Sequence, residues 1–147
     1  MSHDAPQPLP PGTAEMLLNR AREVRANAYV PYSRFTVGAA LLAADGRVFT
    51  GCNLENASYG LTICAERAAV AKAVSEGVRG FRAVAVVGPQ DDAPCAPCGA
   101  CRQVLYEFGP EMVVVTPAAD GHTAATVRDL LPGAFDESRL PAPARDA

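Results

Sequence analysis

Apolar side chains recur along this chain with two different periods, and each change of period marks an element. From Thr13 the positions Leu17, Ala21, Val24 and Ala28 repeat at helical spacing. They predict a first helix with Thr13 as N-cap, Glu15 in its first turn and an end before Pro31. Residues 36–43 read as a strand, Asp45-Gly46 signals a tight turn, and residues 47–54 return beside the first run as a β-hairpin. A second helix is expected from a cap near Thr62 to Gly77, its alanines at 65, 68, 69, 71 and 73 permitting close packing on a sheet.

The run Ala83–Val87 is apolar on both faces and too short for a helix, which suits a central strand. Residues 88–97 hold Pro89, Pro94 and Pro97 and read as a loop; Val104, Leu105 and Phe108 then give a third helix that Gly109-Pro110 ends. Met112–Val115 is a further buried strand, 126–131 a short helix at most, with His122 in a loop before it and residues 132–147 mostly irregular. The order helix, hairpin, helix, strand, helix, strand implies an α/β fold in which helices cover a mixed sheet. The helices that start near Cys64 and Cys98 then aim their N-termini at one place.

Composition narrows the classes. At 147 residues the chain suits one domain. Residues 1–12 hold Pro6, Pro8, Pro10 and Pro11 with few large apolar side chains, so a flexible tail is expected there, and 136–147 is read as a second tail. Apolar residues at 49% and charged residues at 20% are ordinary for a globular protein. A net charge of −3, without a Lys/Arg run, argues against polymeric nucleic acid as a partner. With no signal-peptide pattern and no apolar run of membrane-spanning length, the expected location is the cytoplasm. Five cysteines, three of them between Cys95 and Cys101, fit metal ligation in a reducing compartment better than a disulfide framework, and Cys52 is read as a small buried hydrophobe.

The chemistry sits in Cys64-Ala65-Glu66-Arg67 and Pro97-Cys98-Gly99-Ala100-Cys101. Cys98 and Cys101, at i and i+3 on one helical turn, face the same way, and Cys64 can join them. Helix N-termini stabilise thiolates, and three protein ligands leave a fourth position for water, the arrangement of a catalytic zinc. Three thiolates around Zn²⁺ carry a net −1, so a cation is needed to restore activation of water; Arg67 is favoured over Arg102 for that task. Two other readings stay open on spacing. Cys98 and Cys101 match a redox Cys-x-x-Cys, and Cys95, three positions before Cys98, could close a structural site as a fourth ligand. His3 and His122 are read as solvated.

With Cys64-Ala-Glu66-Arg67 and Pro97-Cys98-Gly-Ala-Cys101-Arg-Gln in hand, the chain resembles the cytidine deaminase family in its short-chain, three-cysteine, homotetrameric form. The likeness extends through Phe35-Thr-Val-Gly-Ala-Ala-Leu, Gly51-Cys-Asn53-Leu-Glu55-Asn-Ala-Ser-Tyr59 and Leu130-Leu-Pro-Gly-Ala-Phe135. Cys95, the proline-rich leader and the Pro141–Ala147 extension depart from it. The resemblance implies a three-layer α-β-α fold and one zinc deaminase domain over 13–135. It also implies one zinc per chain on Cys64, Cys98 and Cys101, and hydrolysis of cytidine and deoxycytidine at C4. Glu66 would move the proton from water to N3 and assist ammonia departure. Asn53 and Glu55 would hold the sugar, Phe35 would pack near the base, and the backbone at Ala65 would meet the pyrimidine edge. Tyr59 and Phe135 would reach a neighbour's site. Asn53 and Glu55, at i and i+2, share a face of any extended segment, which supports that pair independently.

Overall fold

The computed structural model describes residues 7–141. Its centre is a five-stranded mixed sheet of order β2-β1-β3-β4-β5, formed by β1 (Gly38–Ala43), β2 (Val48–Cys52), β3 (Phe81–Val87), β4 (Val113–Ala118) and β5 (Gly121–Thr126). Only β3 and β4 run parallel, joined by a crossover through helix α3 (Gly99–Phe108); the other neighbours are antiparallel.

Every residue of β1 is buried, and its alternate side chains feed two separate cores. Ala40 and Leu42 join Ala83, Ala85, Val87 and Val115 under helix α1 (Thr13–Arg25), which contributes Leu17, Leu18 and Ala21. Ala39, Leu41 and Ala43 join Val84, Val86 and Val114 on the opposite face, under α2 (Ala65–Ser75) and α3. The three-layer α-β-α reading therefore holds. Two glycines let the helices seat on the strands. A Cβ at Gly51 would stand 2.5 Å from Ala65 O and Ala69 N of α2, and one at Gly38 would stand 2.0 Å from Ala21 O of α1.

Several boundaries differ from expectation, the first through a local turn and the others through non-local contacts. The N-cap of α1 is Gly12 rather than Thr13. The Pro10-Pro11-Gly12 turn hands Pro10 O to Thr13 N, and the positive φ of 80° at position 12 suits glycine. This helix ends at Arg25 because the chain must extend at Tyr29, whose N–H bonds Asn53 O. The second helix starts at Ala65, not near Thr62, since Ile63 is drawn into a bridge with Leu54. Cys64 and Cys98 are consequently the N-caps of α2 and α3 rather than first-turn residues.

The loop expected around His122 is strand β5. Ala118 pairs with Gly121 across a tight turn, and Thr123 bonds Thr116 side chain to side chain at 3.0 Å. As an edge strand with its first four residues exposed, β5 has none of the apolar alternation that marks a buried strand. The short helix α4 (Val127–Leu130) follows, fixed by a reciprocal capping box between Thr126 and Asp129. Cys52 is half-buried rather than buried. Of the N-terminal tail expected over 1–12, residues 1–6 lie outside the described residues, while Leu9 packs against the α1-side core. The second expected tail contains a 3₁₀ turn at Glu137–Arg139, and residues 142–147 lie outside the described residues. Among the described residues, no helix is long and apolar enough to cross a membrane.

Candidate active site

Helices α2 and α3 both start from extended residues, and both of those residues are cysteines. Cys64 Sγ lies 3.9 Å from Cys98 Sγ, which lies 3.5 Å from Cys101 Sγ. The three sulfurs are all within 4.8 Å of one another and are the only such group of possible ligands among the described residues. Cys95 is not part of it, so the closed four-cysteine arrangement is not assembled.

The donor set can be tested against zinc by geometry. Zn–S bonds of about 2.3 Å in a tetrahedron separate neighbouring sulfurs by roughly 3.8 Å. The observed 3.5 and 3.9 Å bracket that value. Burial grades from exposed Cys98 through Cys64 to fully buried Cys101, so the cluster opens on one side only.

Electrostatics favour a cation at this point. Burial pushes the Cys98 thiol up, but the amides of Cys101 and Ala100 and the sulfurs of Cys101 and Cys64 outweigh it and bring the thiol below its ordinary value. Cys101 is pushed well above its ordinary value, first by burial and then by the negative charges of Glu66 and Cys64. A divalent cation among the sulfurs would reverse these charge terms and deprotonate the ligating thiols. Arg67 Nη2 donates to Cys64 Sγ at 3.3 Å and to the Thr62 carbonyl at 3.4 Å. Its Nε is buried with no hydrogen-bond partner among the described residues, and the sulfurs raise its already high pKa, Cys64 most. Arg67 thus stands where a cation would offset a metal site of net −1. Arg102 is engaged elsewhere, donating to Pro97 O and Leu130 O at 2.7 Å each.

Glu66 is 4% exposed, and its Oε2 accepts from Cys101 Sγ at 3.6 Å. Burial raises its pKa, opposed by its own amide, by Cys101 and by Arg67. A carboxylate held dry beside a metal-competent cluster, yet outside the ligand set, is suited to carry protons.

The sugar-end candidates are brought together by an extended segment. Asn53 O accepts from Tyr29 N and Glu55 N donates to Tyr29 O, while Leu54 pairs with Ile63 on the other edge, so Asn53 and Glu55 do share a face. Asn53 also fixes Phe35: its Nδ2 donates to Phe35 O at 2.8 Å and its Oδ1 accepts from Val37 N at 2.9 Å. Glu55 Oε1 accepts from Tyr32 N and Ser33 N at 3.0 and 3.1 Å, and hydrogen bonding, that from Ser33 foremost, keeps its carboxyl below the usual range. These loop-ordering roles were not visible in the sequence, because they join positions about twenty apart. Ala65 is fully buried as the first residue of α2, where a helical amide lacks an intrahelical acceptor. Tyr59 and Phe135 are not gathered with the others; they stand 74% and 59% exposed at the surface. Tyr59 packs edge-on to Tyr32 at 5.8 Å, and Gln103 Nε2 donates to Phe135 O at 2.8 Å.

The α-β-α sheet thus brings two cysteine-started helices together beside a carboxylate outside the sulfur cluster, an arrangement suited to a catalytic zinc. Residues 11–116 match the family model described as the cytidine and deoxycytidylate deaminase zinc-binding region, and the chain belongs to that family. It is 52% identical over 128 residues to a cytidine deaminase of Sporosarcina psychrophila, spanning 86% of this chain and 93% of that one. It is 54% identical over 123 residues to a cytidine deaminase of Halalkalibacterium halodurans, spanning 82% and 92%. A crystal structure of cytidine deaminase from Burkholderia pseudomallei superposes with a TM-score of 0.77 at 47% identity, covering 92% of this chain and all of that one.

One zinc per chain is predicted, lost in Cys64→Ala, Cys98→Ala and Cys101→Ala and kept in Cys95→Ala. Metal analysis of the purified variants checks this. Zinc retained in Cys98→Ala, or lost from Cys95→Ala while Cys64→Ala keeps it, contradicts the assignment.

Proposed function

We propose that this chain is a cytidine deaminase of pyrimidine salvage, converting cytidine and 2′-deoxycytidine with water to uridine and 2′-deoxyuridine with release of ammonia. The observation that carries the reading is Glu66, a buried carboxylate beside three clustered sulfurs and not one of their number. Zinc held by Cys64, Cys98 and Cys101 would supply the Lewis acidity that makes water a nucleophile near neutral pH.

The rest is the work of the chain's own residues. Glu66 accepts a proton from the attacking water and places it on N3 of the pyrimidine. As the C4–N bond breaks, Glu66 takes the proton of the hydroxyl now on C4, leaving the C4 carbonyl, and delivers it to the departing amino group, which leaves as ammonia. Its burial keeps bulk water from competing for these protons. The free amide at the start of α2, next to Ala65, faces the pyrimidine edge, and Phe35, pinned by Asn53, packs near the base. Asn53 and Glu55 hold the sugar hydroxyls; Glu55 Oε2 remains to accept from them while Oε1 orders the 32–33 turn. Arg67 offsets the thiolate charge.

Free nucleoside is the preferred substrate form. Glu55 puts a negative charge at the sugar end, and a 5′-phosphate entering beside it without a cationic partner is costly to bury. The segment around residues 54–63 exposes Leu54, Tyr59, Leu61 and Ile63, with Tyr29 and Tyr32 also exposed nearby. Such a patch supports assembly, here into a homotetramer in which Tyr59 and Phe135 complete a neighbour's site. The cytoplasm, where reduced thiols persist, is the proposed location.

Ammonia release from cytidine, deoxycytidine and cytidine 5′-monophosphate tests the substrate. We expect both nucleosides to turn over and the monophosphate to lose at least about tenfold in kcat/KM, a difference of about 1.4 kcal/mol; equal efficiency on the monophosphate contradicts the sugar-end assignment. Sedimentation should give a four-chain particle, and a fully active monomer would refute shared sites.

A further inference from the structure

The loop Gly88–Cys98 joins β3 to α3 and contains neither helix nor strand. Pro89, Pro94 and Pro97 also remove three amide donors, so side chains from elsewhere must hold its course. Helix α1 supplies them at the loop's start. Arg25 Nη1 donates to the Gly88 carbonyl at 2.6 Å, and Arg25 Nη2 pairs with Asp91 Oδ1 at 2.7 Å. Arg22 Nη2 adds a bond to the Asp91 carbonyl at 3.2 Å.

The reach of Arg25 follows from the packing of α1. A Cβ at Gly38 would meet Arg25 Cβ at 3.0 Å, and Gly38 pairs with Val87, the residue before Gly88. Bare backbone at position 38 thus lets the last turn of α1 lie directly over the end of β3. The Arg25 side chain is only 19% exposed whereas Asp91 is 66% exposed. The charge-assisted bond to the Gly88 carbonyl is therefore the stronger anchor and the ion pair the weaker one.

The other side of this loop faces Phe35. A Cβ at Gly88 would stand 3.0 Å from Cys95 Sγ and 3.7 Å from Phe35 Cζ. Phe35 and the loop enclose a cavity of about 250 Å³ whose walls include Gly88, Pro89, Pro94 and Cys95. Arg25 holds the loop backbone from one side while the Phe35 ring rests near it on the other.

We propose that Arg25 is a positioning residue for the nucleoside site: by gripping the Gly88 carbonyl and Asp91 it fixes the wall against which Phe35 is set, and through Phe35 the place of the base. This rests on the assignment of Phe35 to the base. Glu66 and Cys101 lie in α2 and α3, Cys64 caps α2, and Cys98 caps α3 at the far end of the loop from the Gly88 and Asp91 contacts of Arg25, so a looser wall at the loop's start weakens binding and leaves the proton chemistry in place.

Steady-state kinetics on zinc-loaded enzyme separates the two claims. Arg25→Ala should raise KM for cytidine roughly threefold to tenfold with kcat within about twofold and unchanged zinc content. Arg25→Lys should recover part of the loss, since an ammonium can satisfy one partner, and Asp91→Ala should cost less than Arg25→Ala. Phe35→Ala should raise KM on its own. An unchanged KM in Phe35→Ala overturns the assignment of Phe35. A raised KM in Phe35→Ala with wild-type KM in Arg25→Ala, whatever the change in thermal stability, overturns the positioning role, as does a fall in kcat that tracks loss of zinc.

Discussion

Three sulfurs must come within about 4 Å of one another while a carboxylate stays beside them unbound, and the architecture answers to that constraint. The sulfurs come from two helices that are far apart in sequence and start at neighbouring points of the sheet. Cysteine at each N-cap places a thiol where unpaired amides and the helix dipole favour negative charge. Seating α2 directly on β2, which the missing side chain of Gly51 permits, accompanies the burial of Glu66 in the first turn of that helix.

The charge balance is the second requirement. Three thiolates over-neutralise a divalent cation and would weaken its hold on the acidity of water. Arg67, adjacent to Glu66 and bonded to Cys64 Sγ, is the cation proposed to draw charge off the sulfurs without entering the ligand set. In the proposed mechanism Glu66 and Arg67 serve opposite electrostatic needs from successive residues of one helical turn. Asn53 and Glu55 spend part of their hydrogen-bonding capacity on the backbone at Phe35, Val37, Tyr32 and Ser33, so the groups proposed to meet the sugar also fix the loop around them.

Much of this was legible beforehand, and the reason is physical. Helical and strand periods identified the hairpin, the central strand and three main helices, since burial on one or two faces leaves a direct trace in residue type. The spacing of Cys64, Cys98 and Cys101 carried the metal centre because ligand chemistry tolerates few substitutes. What stayed hidden depends on non-local partners. Ile63 reads as the start of a helix until Leu54 is known to pair with it, and β5 reads as a loop because an exposed edge needs no apolar alternation. Leu9 reads as tail until the floor beneath it is seen. Arg25 looks like any solvated helix charge until Gly88, 63 positions on, comes within 2.6 Å.

The proposed chemistry requires Glu66 to act as a proton carrier and not as a ligand, and Glu66→Gln isolates that role, since the amide keeps the shape but cannot shuttle a proton. Zinc content and kcat for cytidine should be measured on the same preparation. A full complement of zinc with kcat lower by about 10²–10⁴-fold is the predicted result. A zinc-loaded Glu66→Gln enzyme with near wild-type kcat would contradict it.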